Sequence, residues 1–294
     1  MLKVCVPATS ANLGPGFDCV GLALNLDNEF YFFSPQEKEI PPGTTLLRPG
    51  SLVHRGMELM ARTVDQSVPK LNVAIKTIVP RSRGLGSSAT LTVAGIVAAN
   101  ILSKANLNEE EIISLATKIE GHPDNAAPAL VGGLVLSVTS AKGIKYIKVE
   151  PQSPLQVIVA VPDFKLSTIA ARKVLPDVVP YQDAVFNTGR FGLLMTSFLT
   201  GKYELLKLAM EDRLHQPYRL PLVPGLKEVM AAVISQGAFG SCLSGAGPSV
   251  LAFCNQQADL LKKVMEDTWR EHGVSAKTYL LEISTEGTKY TYDD

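Results

Sequence analysis

The sequence predicts an α+β protein built from two structural units. Segments typical of strands alternate with segments typical of helices, but without the regular βαβ rhythm of a doubly wound sheet. The 294 residues, of which 46% are hydrophobic and 19% are charged, are enough to bury two moderate cores. We place the boundary near residue 155, which divides the chain into domains of residues 1–155 and 156–294.

The first unit contains three predicted strands and a long buried helix. Residues 71–79 are rich in β-branched types and end at Pro80, which indicates a strand followed by a loop. Residues 88–102 are almost all Ala, Val, Ile, Leu or Thr, and their length favours a helix buried on most sides. Residues 131–138 and 144–149 are typical of further strands.

A second helix of this unit is delimited by its ends. Asn108 followed by Glu111 is typical of an N-cap and capping box, and apolar residues then recur at helical spacing. Gly121 lies where a helix usually stops. We therefore expect Glu120 to close this helix.

The second unit begins with a predicted strand at residues 156–161. The remaining helices are predicted at residues 168–175, 183–200, 202–214, 225–236 and 257–272, and the strands at 238–243, 249–254 and 276–283.

Charge and cysteine content exclude several classes of protein. The formal net charge is +0, with 28 basic and 28 acidic residues and no long run of either sign, so the usual footprint of a protein that binds nucleic acid or a membrane surface is missing. The four cysteines show no C-x-x-C spacing and are expected to be reduced thiols. No apolar run suits a signal peptide or a membrane span. The sequence predicts a cytoplasmic enzyme that acts on small molecules.

Three glycine-bearing polar segments could carry chemistry. They are P-A-T-S-A-N-L-G-P-G-F-D at residues 7–18, P-R-S-R-G-L-G-S-S-A at 80–89 and L-S-G-A-G-P-S at 243–249. Taken alone, a glycine-rich turn between apolar segments is more often only a turn. The middle segment is a stronger candidate because it lies between a predicted strand and the first turn of a predicted helix.

That position suits an anion-binding loop. Gly84 and Gly86 allow the backbone to approach a ligand closely, and the N-terminal end of the helix attracts phosphate. The hydroxyls of Ser87 and Ser88 can reach phosphate oxygens or a magnesium ion. No G-x-x-x-x-G-K-[ST] pattern occurs, which argues against a P-loop nucleotidase. A dinucleotide site is disfavoured as well, because the acidic residue expected about 20 positions on falls at the start of a helix.

A second polar cluster is E-G-H-P-D-N at residues 120–125. Two carboxylates, an imidazole and an amide within six residues could hold a metal and orient a substrate hydroxyl. The same residues could equally form a solvated turn after a helix.

Together and in this order, the three glycine-bearing segments and the polar cluster resemble the GHMP family of small-molecule kinases. Within that family the residues P-A-T-S-A-N-L-G-P-G-F-D-C-V-G-L-A-L, E-G-H-P-D-N-A-A-P-A-L-V-G-G and L-S-G-A-G-P-S resemble the homoserine kinases. The resemblance runs along nearly the whole chain. It implies an N-terminal domain like ribosomal protein S5 domain 2 and a ferredoxin-like C-terminal domain, with the substrates bound between them.

The implied reaction is transfer of the ATP γ-phosphoryl group to the side-chain hydroxyl of L-homoserine, with Mg²⁺, in a homodimer. Two alternatives remain open: a GHMP kinase for another small alcohol, and a non-catalytic ATP-binding member of the fold. The paired arginines described below argue for an amino-acid substrate, and the intact G-L-G-S-S-A loop argues for turnover.

The resemblance also implies roles for individual residues. The phosphate loop, residues 80–90, would bind ATP through Pro80, Arg81, Ser82, Arg83, Gly84, Leu85, Gly86, Ser87, Ser88, Ala89 and Thr90. The metal would be held by Ser87, Ser88 and Glu120. Homoserine would contact Asn12, Asp18, His122, Asn125, Arg172, Arg219 and Gly245.

Within that set the resemblance distinguishes the charged groups from the reacting ones. Asp18 would meet the substrate ammonium group, and Arg172 and Arg219 the substrate carboxylate. Asn125 would lie at the hydroxyl and ranks above Asp124 as the catalytic residue. Thr168 would approach the transferred phosphate.

Overall fold

Two antiparallel sheets organise the chain in the computed structural model, which describes residues 1–37 and 39–292. The strands are β1 Leu2–Ala11, β2 Val20–Phe33, β3 Thr45–Leu46, β4 Asn72–Lys76, β5 Leu134–Ser140, β6 Gly143–Val149, β7 Gln156–Pro162, β8 Gly240–Leu243, β9 Val250–Cys254, β10 Ala276–Glu282 and β11 Lys289–Tyr292. The helices are α1 Leu52–Thr63, α2 Ser87–Ser103, α3 Glu109–Glu120, α4 Ala126–Val131, α5 Thr168–Lys173, α6 Tyr181–Thr200, α7 Leu206–Ala209, α8 Gln216–Arg219, α9 Leu226–Ser235 and α10 Ala258–Glu271.

The first sheet is built around the long strand β2. Its order is β11-β1-β2-β4-β3, and β5 pairs with the other half of the same β2 edge and carries β6 outside it. Residues 29–33 of β2 pair with β4, whereas residues 20–22 pair with β5. Helices α1, α2 and α3 pack on this sheet through a core of aliphatic and aromatic side chains from β1, β2 and β4. Strands β4 and β5 therefore share one edge of β2, and β5 lies at the end next to the turn between β1 and β2.

Strand β1 contains buried polar residues, and the sequence pattern did not predict a strand there. Thr9 and Ser10 are fully buried in it. The Thr9 hydroxyl donates to Asn125 Oδ1 at 2.8 Å, and the Ser10 and Ser244 hydroxyls are hydrogen-bonded to each other at 2.8 Å. A buried polar group is tolerated when it is hydrogen-bonded. The partners here are remote in sequence, so the local pattern could not indicate a strand.

The two helices predicted between residues 88 and 120 are confirmed. Helix α2 covers the apolar stretch, and α3 begins after Asn108 with the expected capping box. The backbone N–H of Glu111 donates to Asn108 Oδ1 at 3.0 Å, and the backbone N–H of Asn108 donates to Glu111 Oε2 at 2.8 Å. Gly121 ends the helix with a φ of 88°. These caps fix where Glu120 leaves the helix.

The second sheet has the strand order β10-β7-β9-β8, the ferredoxin-like arrangement that the family resemblance implies. One face is covered by α9 and α10, with Trp269 fully buried between them and the sheet. The other face packs with α6 against the first sheet, so that Val157 and Phe253 share a core with Leu22 and Leu134. This shared core joins the two sheets. The α+β fold class is therefore confirmed.

Three predicted elements are wrong in extent. The strand predicted at residues 71–79 already ends at Lys76. The helix predicted at residues 202–214 stops at Ala209, because Asp212 accepts hydrogen bonds from the backbone N–H groups that follow it. The strand predicted from residue 131 begins at Leu134, because residues 126–131 form helix α4. Helices α1, α4 and α8 and strands β1, β2, β3 and β11 were not predicted.

The chain passes from the first sheet to the second between β6 and β7, near the predicted boundary at residue 155. The end of the chain returns to the first sheet, where β11 pairs with β1 and places Tyr292 opposite Leu2. All four cysteines are free thiols, as expected. Among the described residues, no helix is both long and apolar enough to cross a membrane.

Candidate active site

A cleft of about 690 Å³ lies between loops of the two sheets. The first sheet contributes the turn between β1 and β2, the phosphate loop and the connection from α3 to α4. The second sheet contributes the segment from Leu166 to Arg172, Arg219 of α8 and the turn between β8 and β9. All the site residues predicted from the sequence line this cleft except Pro80 and Thr90.

Those two residues lie beside the cleft. Pro80 lines a smaller cavity of about 430 Å³ on the other side of the phosphate loop. Thr90 is fully buried; its hydroxyl donates to the Ser87 carbonyl at 2.9 Å and accepts from Asn28 Nδ2 at 2.9 Å. Thr90 therefore supports the start of α2 from behind.

The phosphate loop leaves no room for side chains at its two glycines. A Cβ on Gly84 would lie 2.1 Å from the Ser244 carbonyl oxygen, and a Cβ on Gly86 would lie 1.9 Å from Thr9 Oγ1. Both residues also have positive φ, 79° and 63°, which glycine adopts without strain. Helix α2 starts directly afterwards, and the first turn of a helix has N–H groups without partners inside the helix. The loop therefore presents backbone donors to the cleft.

The second sheet holds this loop in place. The Ser244 hydroxyl donates to the Gly84 carbonyl at 2.7 Å, and Leu166 N–H donates to the Ser82 carbonyl at 3.3 Å. The loop also donates to the second domain: Arg83 Nε donates to the Pro162 carbonyl at 2.8 Å, and Arg83 Nη2 donates to the Asp163 carbonyl at 2.7 Å. Most of the Arg83 guanidinium is thus committed to an interdomain contact.

Glu120 lies beside the N-terminus of α2. Its Oε1 accepts from the Ser88 hydroxyl at 3.0 Å and from the Thr92 hydroxyl at 2.6 Å. The capped end of α3 places this carboxylate next to the phosphate loop. A carboxylate and a hydroxyl oxygen side by side are ligands that suit a hard divalent cation.

An ion pair between the two domains crosses the cleft further along. Asp18 accepts two hydrogen bonds from Arg172, at 2.6 Å from Nη2 and 3.0 Å from Nη1. The bond to Asp18 raises the pKa of Arg172 above its ordinary value, although partial burial opposes this. Their side chains remain 33% and 38% exposed, so the pair is open to a ligand.

His122, Asp124 and Asn125 form a hydrogen-bonded group next to this pair. His122 Nδ1 is bonded to Asp124 Oδ1, and Asn125 Nδ2 donates to the same oxygen at 3.1 Å. Burial opposes the charged form of His122, but the hydrogen bond and the charge of Asp124 outweigh it and raise the pKa of His122. Ligand atoms of Asp18, His122 and Asp124 lie within 4.8 Å of one another. This part of the cleft can attract a cation such as an ammonium group.

Arg219 is the counterpart for an anion. Its side chain is almost completely buried at the cleft, and no carboxylate within the described residues forms an ion pair with it. Burial and the neighbouring charge of Arg172 lower the pKa of Arg219 to about 10, so it remains charged at neutral pH. A buried cation without an acidic partner is costly and favours an anionic ligand.

Asn12, Gly245 and Thr168 complete the predicted set. Asn12 Nδ2 donates to the Gly245 carbonyl at 2.9 Å, and Asn12 Oδ1 accepts from Asp18 N–H at 3.0 Å. Asn12 thus ties the turn between β1 and β2 to the turn between β8 and β9. Thr168 is the first residue of α5 and lies at the cleft.

Three residues next to the cleft were missed in the sequence analysis. The Phe17 ring lies 5.3 Å from both the Arg172 and the Arg219 guanidinium carbons, and it stacks on His215. His215 and Asp212 form the buried support of Arg219. The signal in the sequence for Phe17 was its place in the segment at residues 7–18, and for Asp212 and His215 it was their position seven and four residues before Arg219.

Known proteins resemble this chain along nearly its whole length. Residues 51–133 match the family described as GHMP kinases N terminal domain, and residues 194–271 match the family described as GHMP kinases C terminal. A homoserine kinase from Nostoc punctiforme is 42% identical over 98% of this chain and 97% of its own length. A homoserine kinase from Desulfitobacterium hafniense is 41% identical over 98% of this chain and 99% of its own length.

The chain belongs to the homoserine kinases of the GHMP kinase family. The crystal structure of a homoserine kinase from Cytophaga hutchinsonii superposes with a TM-score of 0.83, at 26% identity, covering 99% of this chain and 97% of that one. The family resemblance recognised from the three glycine-bearing segments and the cluster at residues 120–125 is thereby confirmed, as is the two-domain fold that it implied.

Proposed function

We propose that the protein transfers the γ-phosphoryl group of ATP to the side-chain hydroxyl of L-homoserine and releases ADP and O-phospho-L-homoserine. In this reaction the bond between the γ-phosphorus and the bridging oxygen of ATP breaks, a bond from phosphorus to the homoserine oxygen forms, and the hydroxyl proton leaves. Family membership supports the reaction class. The amino-acid substrate is supported by the charges in the cleft.

The phosphate loop would bind ATP through backbone N–H groups at the start of α2. The positive φ at Gly84 and Gly86, and the start of α2 directly after them, support this role, since the N–H groups of a first helical turn are free to bind phosphate. Phosphoryl transfer passes through a loose transition state, so positioning and charge neutralisation account for most of the catalysis.

The donor set also suits magnesium. Glu120 and Ser88 offer a carboxylate and a hydroxyl oxygen 3.0 Å apart, and Ser87 is the neighbouring hydroxyl at the loop. These residues would hold the ion, which when bound neutralises charge on the phosphates.

Homoserine would bind by exchange with the ion pair between Asp18 and Arg172. The substrate ammonium group would take the place of Arg172 at Asp18, and the substrate carboxylate would take the place of Asp18 at Arg172. Arg219, which has no acidic partner among the described residues, would hold the same carboxylate from the other side. The exchange conserves charge, because a zwitterion inserts between two opposite charges.

Asn125 would orient the reacting hydroxyl. Its Oδ1 accepts from Thr9 and its Nδ2 donates to Asp124, so its orientation is fixed. Asp124 is buried and already bonded to His122, which makes it a weaker candidate base. Thr168 would approach the transferred phosphate from the second domain.

The observation that carries the proposal is the presence of two kinds of site in one cleft. The phosphate loop lies at one end, and at the other lie the partly exposed ion pair of Asp18 and Arg172 and the buried Arg219 guanidinium, which forms no ion pair with any described residue. A kinase for a sugar or another neutral alcohol has no need of the second site.

The test is ADP release coupled to a dehydrogenase assay with ATP, Mg²⁺ and L-homoserine, with the product identified as a phosphate monoester by phosphorus NMR. Mevalonate, galactose and the methyl ester of L-homoserine serve as comparison substrates. We expect L-homoserine to have the highest kcat/KM by at least a hundredfold. A higher kcat/KM for the ester would contradict the amino-acid site, and ATP binding without turnover of any alcohol would contradict the enzyme assignment.

The homodimer implied by the family resemblance and the cytoplasmic location expected from the sequence stay predictions. Light scattering of the purified protein tests the first, and fractionation of the source cells tests the second.

A further inference from the structure

The segment that precedes Arg219 is organised around one carboxylate. Asp212 Oδ1 accepts from Asn187 Nδ2 at 2.7 Å and from Leu214 N–H at 2.9 Å. Asp212 Oδ2 accepts from His215 N–H at 2.9 Å and from Gln216 N–H at 2.7 Å. Four donors on one carboxylate fix the backbone of the turn. They set where α8 begins and therefore where Arg219 lies.

His215 is fully buried in this turn, and its partners define its protonation. Nε2 lies 2.8 Å from the Gly14 carbonyl oxygen, which can only accept, so Nε2 carries a hydrogen. Nδ1 lies 3.2 Å from Arg219 Nη1, which can only donate, so Nδ1 is unprotonated. The ring is therefore a neutral imidazole with its hydrogen on Nε2. Burial lowers the pKa of His215, and the charge of Arg219 acts in the same direction.

Arg219 is held by three acceptors from three parts of the chain. Nε donates to the Ala171 carbonyl at 3.1 Å, and Nη1 donates to the Gly245 carbonyl at 3.1 Å and to His215 Nδ1. These bonds use three of the five N–H groups of the guanidinium. The two on Nη2 have no partner among the described residues, and Arg219 lines the cleft.

We propose that His215 is a positioning residue for the substrate carboxylate, holding the Arg219 guanidinium with its Nη2 hydrogens facing the cleft. The inference rests on the proposed function, because it assumes that Arg219 meets a carboxylate. A neutral acceptor is required at this position. An aspartate or glutamate here would pair with Arg219 and compete with the substrate anion, whereas an apolar residue would leave Nη1 with one acceptor fewer.

Two isosteric substitutions separate this role from simple packing. In His215→Asn the amide oxygen reaches the place of Nδ1, so the acceptor for Arg219 is kept and the donor to Gly14 is lost. In His215→Gln the amide nitrogen reaches the place of Nε2, so the donor to Gly14 is kept and the acceptor is lost. Each variant loses one buried hydrogen bond, so their melting temperatures should fall by similar amounts.

The expected result is a difference in KM for L-homoserine. We expect His215→Gln to raise it about tenfold, which corresponds to about 1.4 kcal/mol, and His215→Asn to stay within about twofold of the unsubstituted enzyme. The KM for ATP should change in neither variant. Equal increases in the KM for homoserine, in proportion to the loss of melting temperature, would overturn the proposal.

A second measurement needs no substrate. In protein labelled with ¹⁵N-histidine, the ring nitrogens of His215, assigned by their loss in His215→Asn, should show a protonated Nε2 and an unprotonated Nδ1 at pH 7.5. An Nδ1–H tautomer or an imidazolium would overturn the proposal whatever the kinetics. If the unsubstituted enzyme does not turn over L-homoserine, the proposed function fails, and the nitrogen shifts still decide whether His215 can act on Arg219.

Discussion

Replacing Asp18 by asparagine should have opposite effects on two closely related ligands. In the free protein Asp18 holds Arg172 through two hydrogen bonds, and in the proposed complex both residues turn to the substrate. Asp18→Asn removes the partner of the ammonium group but also frees Arg172 for a carboxylate. L-Homoserine should therefore bind less well, whereas 4-hydroxybutyrate, which is homoserine without its ammonium group, should bind better.

The magnitudes follow from the exposure of the pair. Because the Asp18 and Arg172 side chains are 33% and 38% exposed, breaking the ion pair costs at most about 1 kcal/mol, so 4-hydroxybutyrate should gain at most about fivefold in affinity. Loss of a charge-assisted hydrogen bond to the ammonium group costs about 1.5–3 kcal/mol, so the kcat/KM for L-homoserine should fall by about ten- to a hundredfold. The free energy of unfolding should change by less than about 1 kcal/mol.

Calorimetric titration of 4-hydroxybutyrate and steady-state kinetics with L-homoserine make the two measurements on one preparation. The mirror-image control is Arg172→Gln with 3-aminopropan-1-ol, which is homoserine without its carboxylate and should gain over the unsubstituted protein. If Asp18→Asn weakens both ligands alike, or leaves 4-hydroxybutyrate unchanged while homoserine falls, then the substrate does not exchange with the ion pair.

Three further predictions concern other parts of the cleft. Glu120→Gln keeps an oxygen that can accept from Ser88 but is a poorer ligand for a hard cation, so kcat should require more Mg²⁺; an unaltered magnesium titration would place the metal elsewhere. Ser244→Ala removes the hydroxyl that donates to the Gly84 carbonyl of the phosphate loop and should raise the KM for ATP about tenfold. The control is Ser241→Ala, which loses a comparable buried hydrogen bond to the Leu251 carbonyl, away from the loop, and should leave the KM for ATP unchanged. Asp124 raises the pKa of His122, so the pair stabilises the fold fully below pH 6.5, the ordinary pKa of histidine, and this stabilisation is lost as the pH rises through the raised pKa. The substitution His122→Gln should therefore lower the free energy of unfolding more at pH 5.5 than at pH 8.5. A loss that is independent of pH would contradict the pairing.

The sequence was informative where the local pattern and the chemistry coincide. Helix α2 is apolar on all sides and follows a glycine loop, so the phosphate loop and its helix could both be predicted from one stretch. The caps of α3 are likewise local, since Asn108 and Glu111 bond each other's backbone. Glu120 could then be placed at the helix end, although its contact with Ser88 depends on how two helices pack and could not be derived from spacing.

The parts that could not be predicted depend on contacts between remote residues. Thr9 and Ser10 look like loop residues, but their hydroxyls are bonded to residues more than 100 positions away, and this makes a buried strand possible. Residues 202–214 have helical composition, yet the Asp212 carboxylate accepts from three backbone N–H groups that would otherwise form helical hydrogen bonds, and the helix ends before it. A side chain can compete with helical carbonyls for backbone N–H groups only when it is oriented toward them. The spacing of residue types in the sequence does not give that orientation.

The phosphate loop lies in the first domain, but it is held in place by hydrogen bonds with both domains. Its carbonyls at Ser82, Arg83 and Gly84 all accept hydrogen bonds from the second domain, and Arg83 donates two in return. The turn that supplies Ser244 also supplies the Gly245 carbonyl, which accepts from Arg219. One turn of the second domain thus contacts both the loop that would hold ATP and the guanidinium that would hold the amino acid. A displacement of this turn would disturb both sites together, and this linkage explains why glycines and small polar residues occupy it: they bring backbone carbonyls within hydrogen-bond distance of both.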